Sequence, residues 1–397
     1  MLPELLCPAG DKEKFFTALR YGADAIYVGG EDFNLRAKTK GVGLKDLPCL
    51  VQAAHAVQKK VYFCLNVLAQ EKHLGPISLL LEKLANVSID ALIIADPGVI
   101  KLAHKYLPHV PIHLSTQANT SNSVSALFWQ ELGVKRINLA RELDFKQIKQ
   151  IAQKVSSKLE LELFVHGAMC MAISGRCFLS AYLNQRSANL GLCTHPCRFE
   201  YSLKEKNRDQ AIFEVVEQGY SKILASEDLC LLKYLNWMRK NKIASLKIEG
   251  RNKSVAYVAT VTDVYKTALL DLEQRRFNYS KYVRVLQPTF TRKVGTGFFL
   301  GRPKLLYLPN NKNNTKTLAW IAKKISPEKW LVKVKQTWSV QQKVKIRLPR
   351  LQEITLSPGA YCLEGENGQK VEVAHPGLTY YLYFAHPKLK TYLTVGT

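Results

Sequence analysis

The chain has 397 residues, 47% of them hydrophobic and 22% charged, and carries a formal net charge of +25. That composition excludes a disordered or fibrous chain and leaves room for two or more domains. No apolar run is long enough to span a bilayer, and the opening MLPELLCPAGDKEKF lacks the basic-then-apolar layout of a secretion signal, so the expected location is the cytoplasm.

Residues 1–285 repeat one pattern, a short apolar run, a turn and an amphipathic stretch. The runs are Glu4–Cys7, Ala25–Val28, Val61–Leu65, Ala91–Ala95, Ile112–Ser115, Arg136–Leu139, Glu160–Val165 and Leu246–Ile248. Each is rich in Val, Ile and Leu, as strands covered on both faces should be. Between them lie helical patterns such as Lys12–Tyr21, Leu47–Gln58, Pro97–Tyr106, Ser123–Leu132 and Asp144–Lys154. Eight strand–helix units predict a (β/α)8 barrel of the TIM type over residues 1–285, with an open doubly wound sheet as the alternative. In a barrel the active groups follow the strands. The polar residues at those places are Asn66, Asp96, Ser115, Gln117, Asn119, Arg141, Glu142, His166, Glu249 and Arg251. Any one of them also reads as a helix cap or a salt bridge, but together they suggest one pocket.

From about Leu286 helical periodicity fades, and short alternating stretches take over: Trp330–Val334, Val344–Leu348, Gln369–Val373 and Thr379–Phe384. With Ser-Pro-Gly and Asn-Gly turn signals between them, residues 286–397 read as a small all-β domain, a barrel or sandwich. This tail holds 18 Lys/Arg against 5 Asp/Glu, a net +13 of the total +25. Such an excess suits a polyanion, most simply nucleic acid, because each neutralised phosphate releases counterions. Trp320, Trp330 and Trp338 alternate with Lys333, Lys335, Lys343, Lys345 and Arg347, which fits either an RNA-binding face or strands with aromatics inside and lysines outside.

Nine cysteines without an export signal argue for metal rather than disulfides. Four lie within residues 162–198, as Cys170-x6-Cys177-x15-Cys193-x3-Cys197, with Gly167, Gly175 and Gly191 allowing tight turns. Thiolates are soft ligands that suit iron–sulfur clusters or zinc. Only the last pair has the tight spacing usual for structural zinc, so a 4Fe–4S cluster is the leading expectation and zinc the alternative. Cys7, Cys49, Cys64, Cys230 and Cys362 are scattered among apolar neighbours and read as small core residues.

The stretch Glu162-x-Phe164-x2-Gly167-Ala168-Met169-Cys170-x4-Gly175-x-Cys177-x-Leu179-Ser180 resembles the signature of the collagenase-like peptidases, the thirty-second family of unassigned peptidases. Leu6-Cys-Pro-Ala-Gly-Asp11, Ile112-His-Leu-Ser-Thr-Gln-Ala-Asn119 and Ser245-Leu-Lys-Ile-Glu-Gly-Arg251 fit that family as well. Within it the chain is most similar to members that 5-hydroxylate the wobble uridine of the tRNA anticodon loop with prephenate as co-substrate. Other members act on ribosomal RNA or a quinone precursor. The resemblance implies an iron–sulfur protein with Cys170, Cys177, Cys193 and Cys197 as cluster ligands. One departure is Ala225, where the tRNA members tend to have asparagine.

On this reading Arg141 and Arg251 pair with the carboxylates of prephenate, because a guanidinium fork matches a carboxylate. Asn66, Asp96, Gln117 and Asn119 are the other substrate-binding candidates, and His166, Glu142 and Glu249 the acid/base candidates for the C5 proton. The family name also offers a peptidase. The sequence contains no His-Glu-x-x-His and no Gly-x-Ser-x-Gly, and thiolates committed to a metal are not free nucleophiles. A non-enzymatic RNA-binding or assembly factor would explain charge and cysteines but leave the polar pocket idle.

Overall fold

The structure, a computed structural model, describes residues 2–35, 41–155, 157–170, 172–199, 203–204, 211–213, 227–301, 305–306 and 317–385. Ala225 and most of the tail's lysine-bearing segment 302–316 fall outside these.

Eight parallel strands close into a barrel: β1 (Glu4–Pro8), β2 (Ala25–Gly29), β3 (Lys60–Leu65), β4 (Ala91–Ile94), β5 (Ile112–Leu114), β6 (Val134–Asn138), β7 (Glu160–Ala168) and β8 (Ser245–Ile248). Each pairs with the next, and β8 pairs with both β7 and β1, which excludes the open sheet. The helices around it are α1 (Lys12–Arg20), α2 (Leu47–His55), α3 (Glu71–Leu84), α4 (Pro97–Tyr106), α5 (Ser123–Glu131) and α6 (Phe145–Lys154). They are followed by α7 (Leu179–Asn184), α8 (Leu235–Lys240), α9 (Val255–Glu273) and α10 (Tyr279–Leu286). Short polar residues start several of them: Asp11, Asn122, Asp144 and Ser254 each accept a first-turn N–H. No helix among the described residues is long and apolar enough to cross a membrane.

The outward side chains of the strands form one large core with the helices, whereas the barrel interior is partly charged. Arg136 donates to Glu4 and Glu160 and stands 3.6 Å from Glu162, and Lys247 Nζ lies 3.1 Å from Glu162 Oε1. Tyr62 donates to Glu4 at 2.7 Å and Asn138 to Glu162 at 2.9 Å. Glu4 and Glu162 hold the Arg136 guanidinium charged against the desolvation of its buried site.

β7 is the longest barrel strand and pairs beyond the barrel as well as within it. Its first part pairs with β8, while His166, Gly167 and Ala168 pair antiparallel with Cys230, Leu229 and Asp228. Val294–Gly295 then adds beside Asp228–Leu229, and Val294 and Phe299 join the barrel's core. The barrel's packing therefore continues beyond the expected boundary at residue 285, through Phe290, Val294, Phe299 and Leu300. A second core begins with the strand Ala319–Lys324 and centres on Trp330, Trp338, Tyr361 and Leu382. It belongs to an antiparallel five-stranded sheet, the hairpin Val344–Leu348/Gln352–Leu356, and the short pair Trp338–Ser339 with Val373–Ala374. The expected strand Gln369–Val373 is split into Lys370–Val371 and Val373–Ala374, which pair with different partners.

This β domain lies along α1 and α9. Asp263 accepts the backbone N–H groups of Arg350 and Leu351, Arg347 donates to Thr260, and the Trp320 indole donates to Glu13. Trp330 and Trp338 are buried while Lys333, Lys335, Lys343 and Lys345 are exposed, so the alternation is the ordinary inside–outside pattern of strands.

Candidate active site

The segment carrying the four cysteines folds back over the C-terminal ends of the strands. Ser174, between Cys170 and Cys177, is buried and in the left-handed region (φ 45°). Its backbone N–H and its hydroxyl both reach the Glu142 carboxylate, the hydroxyl at 2.8 Å, and the hydroxyl also lies 2.9 Å from Asn119 Oδ1. A hydroxyl has one proton, so only one of those acceptors receives it at a time. The next residue, Gly175, sits where a Cβ would contact Arg141 Nη2 at 3.5 Å and Gln117 Cγ at 3.9 Å. Further along, Leu68 donates its N–H to Asn189 O at 3.1 Å, and the Asn189 side chain donates to Cys177 O. The cysteine segment thus bridges the mouth from the loop after β3 to the loop after β6.

Several expected residues meet there. Asn66 lies 3.4 Å from Ser115 Oγ, which in turn lies 3.4 Å from Gln117 Oε1. Arg141 rests over the Phe164 ring at 4.8 Å, and Lys247 Nζ lies 5.5 Å from the same ring. On the other side of the mouth Arg251 is buried, donating to Asn34 Oδ1 at 2.8 Å and lying against Gly29. Glu249 is half-buried beside Tyr27, whose hydroxyl donates to Ile248 O at 2.8 Å.

Three expected residues have other surroundings or tasks. Asp96 caps α4, accepting the Val99 N–H at 3.1 Å. Glu142 is engaged by Ser174 and positions the cysteine loop. His166 does not face the mouth. A bulge at Val165 shifts the β7–β8 register, so that His166 lies opposite Ile248 and packs among Tyr257, Tyr265 and Phe290. Tyr265 gives its proton to Val165 O, so His166 Nδ1, 3.3 Å away, is the donor to the Tyr265 oxygen. Burial pushes the imidazole down to about 3, leaving it neutral.

The donor set of the cysteine segment is soft. Residues 170–199 contain no Asp or Glu. Burial pushes the Cys197 thiol up and Arg198 pulls it down, while Cys170, Cys193 and Cys177 push it up further. Cys193 Sγ accepts the His195 N–H at 3.3 Å. Among the described residues no three Cys, His, Asp or Glu side chains close on one point as the ligands of a single ion do. Ser180 fastens the two halves of the segment together, accepting the Thr194 N–H at 3.0 Å.

A family model for peptidase family U32 matches residues 10–307. The chain belongs to that family. Among U32 relatives, it is 42% identical over 305 residues to a protein of Helicobacter pylori named tRNA hydroxylation protein P, covering 76% of this chain and 72% of that one. It is 35% identical to the 23S rRNA 5-hydroxycytidine C2501 synthase of Escherichia coli, over 67% of this chain and 39% of that one. A collagenase of Porphyromonas gingivalis is 29% identical, over 75% and 74% of the two chains. A solved U32 peptidase superposes with a TM-score of 0.43 at 14% identity over 64% of this chain and 95% of that chain; the barrel assignment rests on the strand pairing above.

The U32 site also uses residues that the sequence pattern did not single out. Ser174 and Asn34 are short polar residues in loops, with no periodicity to mark them. Lys247 had a signal, a charged residue at an inward position of an apolar strand. Of the five remaining cysteines, Cys7, Cys64 and Cys230 are buried as expected, whereas Cys49 lies on the outer face of α2 and is exposed.

Proposed function

We propose that this protein is an RNA-modifying hydroxylase acting at the wobble uridine of tRNA, with prephenate as co-substrate and a 4Fe–4S cluster on Cys170, Cys177, Cys193 and Cys197. The observation that carries this reading is the docking of the cysteine segment onto the barrel mouth, Ser174 on Glu142 and Gly175 against Arg141 and Gln117. It brings the thiols to the place where the polar strand ends gather. The relatives named for tRNA hydroxylation and for 5-hydroxycytidine synthesis support RNA hydroxylation. Four thiolates of which only the last two are closely spaced suit several irons, each taking one thiolate, better than a single zinc ion. A fully thiolate-ligated cluster supplies electron transfer rather than an open coordination site.

Arg141 and Arg251 flank the mouth as cations for a dicarboxylate, Arg251 held in orientation by Asn34. Asn66 and Gln117, linked through Ser115, offer amide edges to a uracil. Glu249 is the acid/base candidate, since Glu142 is occupied by Ser174 and His166 is walled off by aromatic rings. A wobble base lies in a single-stranded loop, so turning it into the mouth breaks little stacking.

The test is anaerobic purification followed by incubation with tRNA that lacks the modification, with and without prephenate, and mass analysis of the nucleosides. We expect iron and sulfide in the protein and 5-hydroxyuridine only when prephenate is present. Stoichiometric zinc without sulfide removes the cluster assignment. Hydroxylation without prephenate removes the co-substrate, and unmodified tRNA together with cleavage of a collagen peptide would replace the reading by hydrolysis.

A further inference from the structure

Helix α7 shows two opposite faces. Ser180 and Asn184 point to the Cys193–Cys197 turn, Ser180 accepting the Thr194 N–H at 3.0 Å and Asn184 donating to Thr194 Oγ1 at 2.7 Å. A six-residue helix has little stability of its own, so these contacts hold it in place. Phe178 and Tyr182 lie one turn apart on the other face; the Tyr182 N–H donates to Phe178 O at 2.8 Å. Both are 84% exposed, the most open large hydrophobic side chains among the described residues. Phe199, also exposed, belongs to the same segment. An isolated exposed apolar residue is ordinary, but two aromatic rings aligned on an anchored turn are a surface.

The charge of the segment itself is one-sided. Residues 170–199 carry Arg176, Arg186 and Arg198 and no Asp or Glu, in a chain of net charge +25. The surface also stands beside the mouth: Phe178 follows the pinned Ser174 by four residues, at most about 14 Å of extended chain. Flat rings with flanking guanidinium groups and no acids match unpaired bases on a phosphate backbone, since every base offers a π-face and each phosphate a charge. A bilayer would ask for a longer apolar face than one short turn provides.

We propose that Phe178 and Tyr182 are a stacking platform for the unpaired bases flanking the base that enters the barrel, with Arg176 and Arg186 holding the adjoining phosphates. This rests on the RNA-hydroxylase reading and names how the loop is held.

The experiment measures binding of the full-length protein to three probes: a synthetic anticodon stem-loop RNA, the same stem as a fully paired duplex, and anionic phospholipid vesicles. Phe178→Leu and Tyr182→Leu keep apolar bulk but lose the π-face. Each is expected to weaken stem-loop binding about 5- to 150-fold, the range for loss of one base stack, with duplex binding and the salt slope unchanged. Phe178→Tyr and Tyr182→Phe should retain wild-type affinity and show that the fold is intact. Arg176→Gln should lower the salt slope by about 1. If the wild type binds the stem-loop and the double leucine variant binds it equally well, the platform is wrong while the RNA reading stands. If the wild type fails to bind the stem-loop, the RNA reading falls as well. Loss of vesicle binding alone would assign the surface to lipid and overturn the proposal.

Discussion

Glu142 separates two views of the mouth, a carboxylate that moves a proton and a carboxylate that holds the cysteine loop. The geometry supports holding, because both oxygens are engaged by Ser174, a buried residue in left-handed conformation that needs its partners. Glu142→Ala removes the acceptor of the Ser174 N–H, whereas the hydroxyl can still turn to Asn119 Oδ1. A hydrogen bond to a charged acceptor contributes about 1.5–3 kcal/mol, so losing one of two costs about 2 kcal/mol, or about 30-fold in the equilibrium between docked and open loop. Amide hydrogen exchange reads this directly, because the Ser174 N–H is itself one of the donors. In metal-free protein its protection should fall about 30-fold in the variant, while amides of β3 and β4 stay as protected as in the wild type. Unchanged protection at Ser174, with hydroxylation abolished, would refute the reasoning and return Glu142 to the chemistry.

Gly29→Ala places a Cβ 2.2 Å from Arg251 Nη2, so the guanidinium must leave its bond to Asn34. With one charged hydrogen bond lost, the KM for prephenate should rise about 10-fold or more at unchanged tRNA affinity, and an unaltered KM would place the donor elsewhere. Asp263, under the β domain, has its carboxyl pushed up by burial to about 6 from 3.8, the Arg350 and Leu351 N–H groups pulling the other way. The folded state therefore binds the proton more tightly, so about 3 kcal/mol of stability is present below about pH 4 and lost as the pH rises through about 6. Urea denaturation of metal-free protein at several pH values should show that slope in the wild type and its loss in Asp263→Asn; equal slopes in both would contradict the burial argument.

Much of the barrel was legible because the outward face of each strand, packed under the helices, must be apolar. The eight expected runs, including Ile112–Ser115 and Leu246–Ile248, overlap the eight observed strands. The domain boundary was less legible: Gln287–Leu300 form only short turns and a two-residue strand, and Val294 and Phe299 enter the barrel's core without any periodic signal. The strand-end rule put Asn66, Gln117, Arg141, Glu249 and Arg251 at the C-terminal ends of the strands, where the structure has them. It failed for His166 because one extra residue, Val165, turns every later side chain of a strand to the opposite face, and nothing in Phe-Val-His announces a bulge. Asp96 shows the converse ambiguity, since an Asp before Pro97 is also an ideal helix start. Ser174 was out of reach, because its importance comes from a partner 32 positions away.

The double duty of β7 has a consequence for how this molecule can be assembled and altered. The chain leaves the barrel at Ala168 and comes back at Asp228 directly opposite, so the excursion between them hangs from a closed two-stranded stem. Once that stem has formed, bringing the ends together has already been accomplished, and adding or deleting residues within the excursion changes the closure term only logarithmically. The closure of the barrel thus depends little on how long its cysteine-bearing attachment is. A change of length there leaves strand order, register and the buried Glu4–Arg136–Glu162–Lys247 network with the contacts they have.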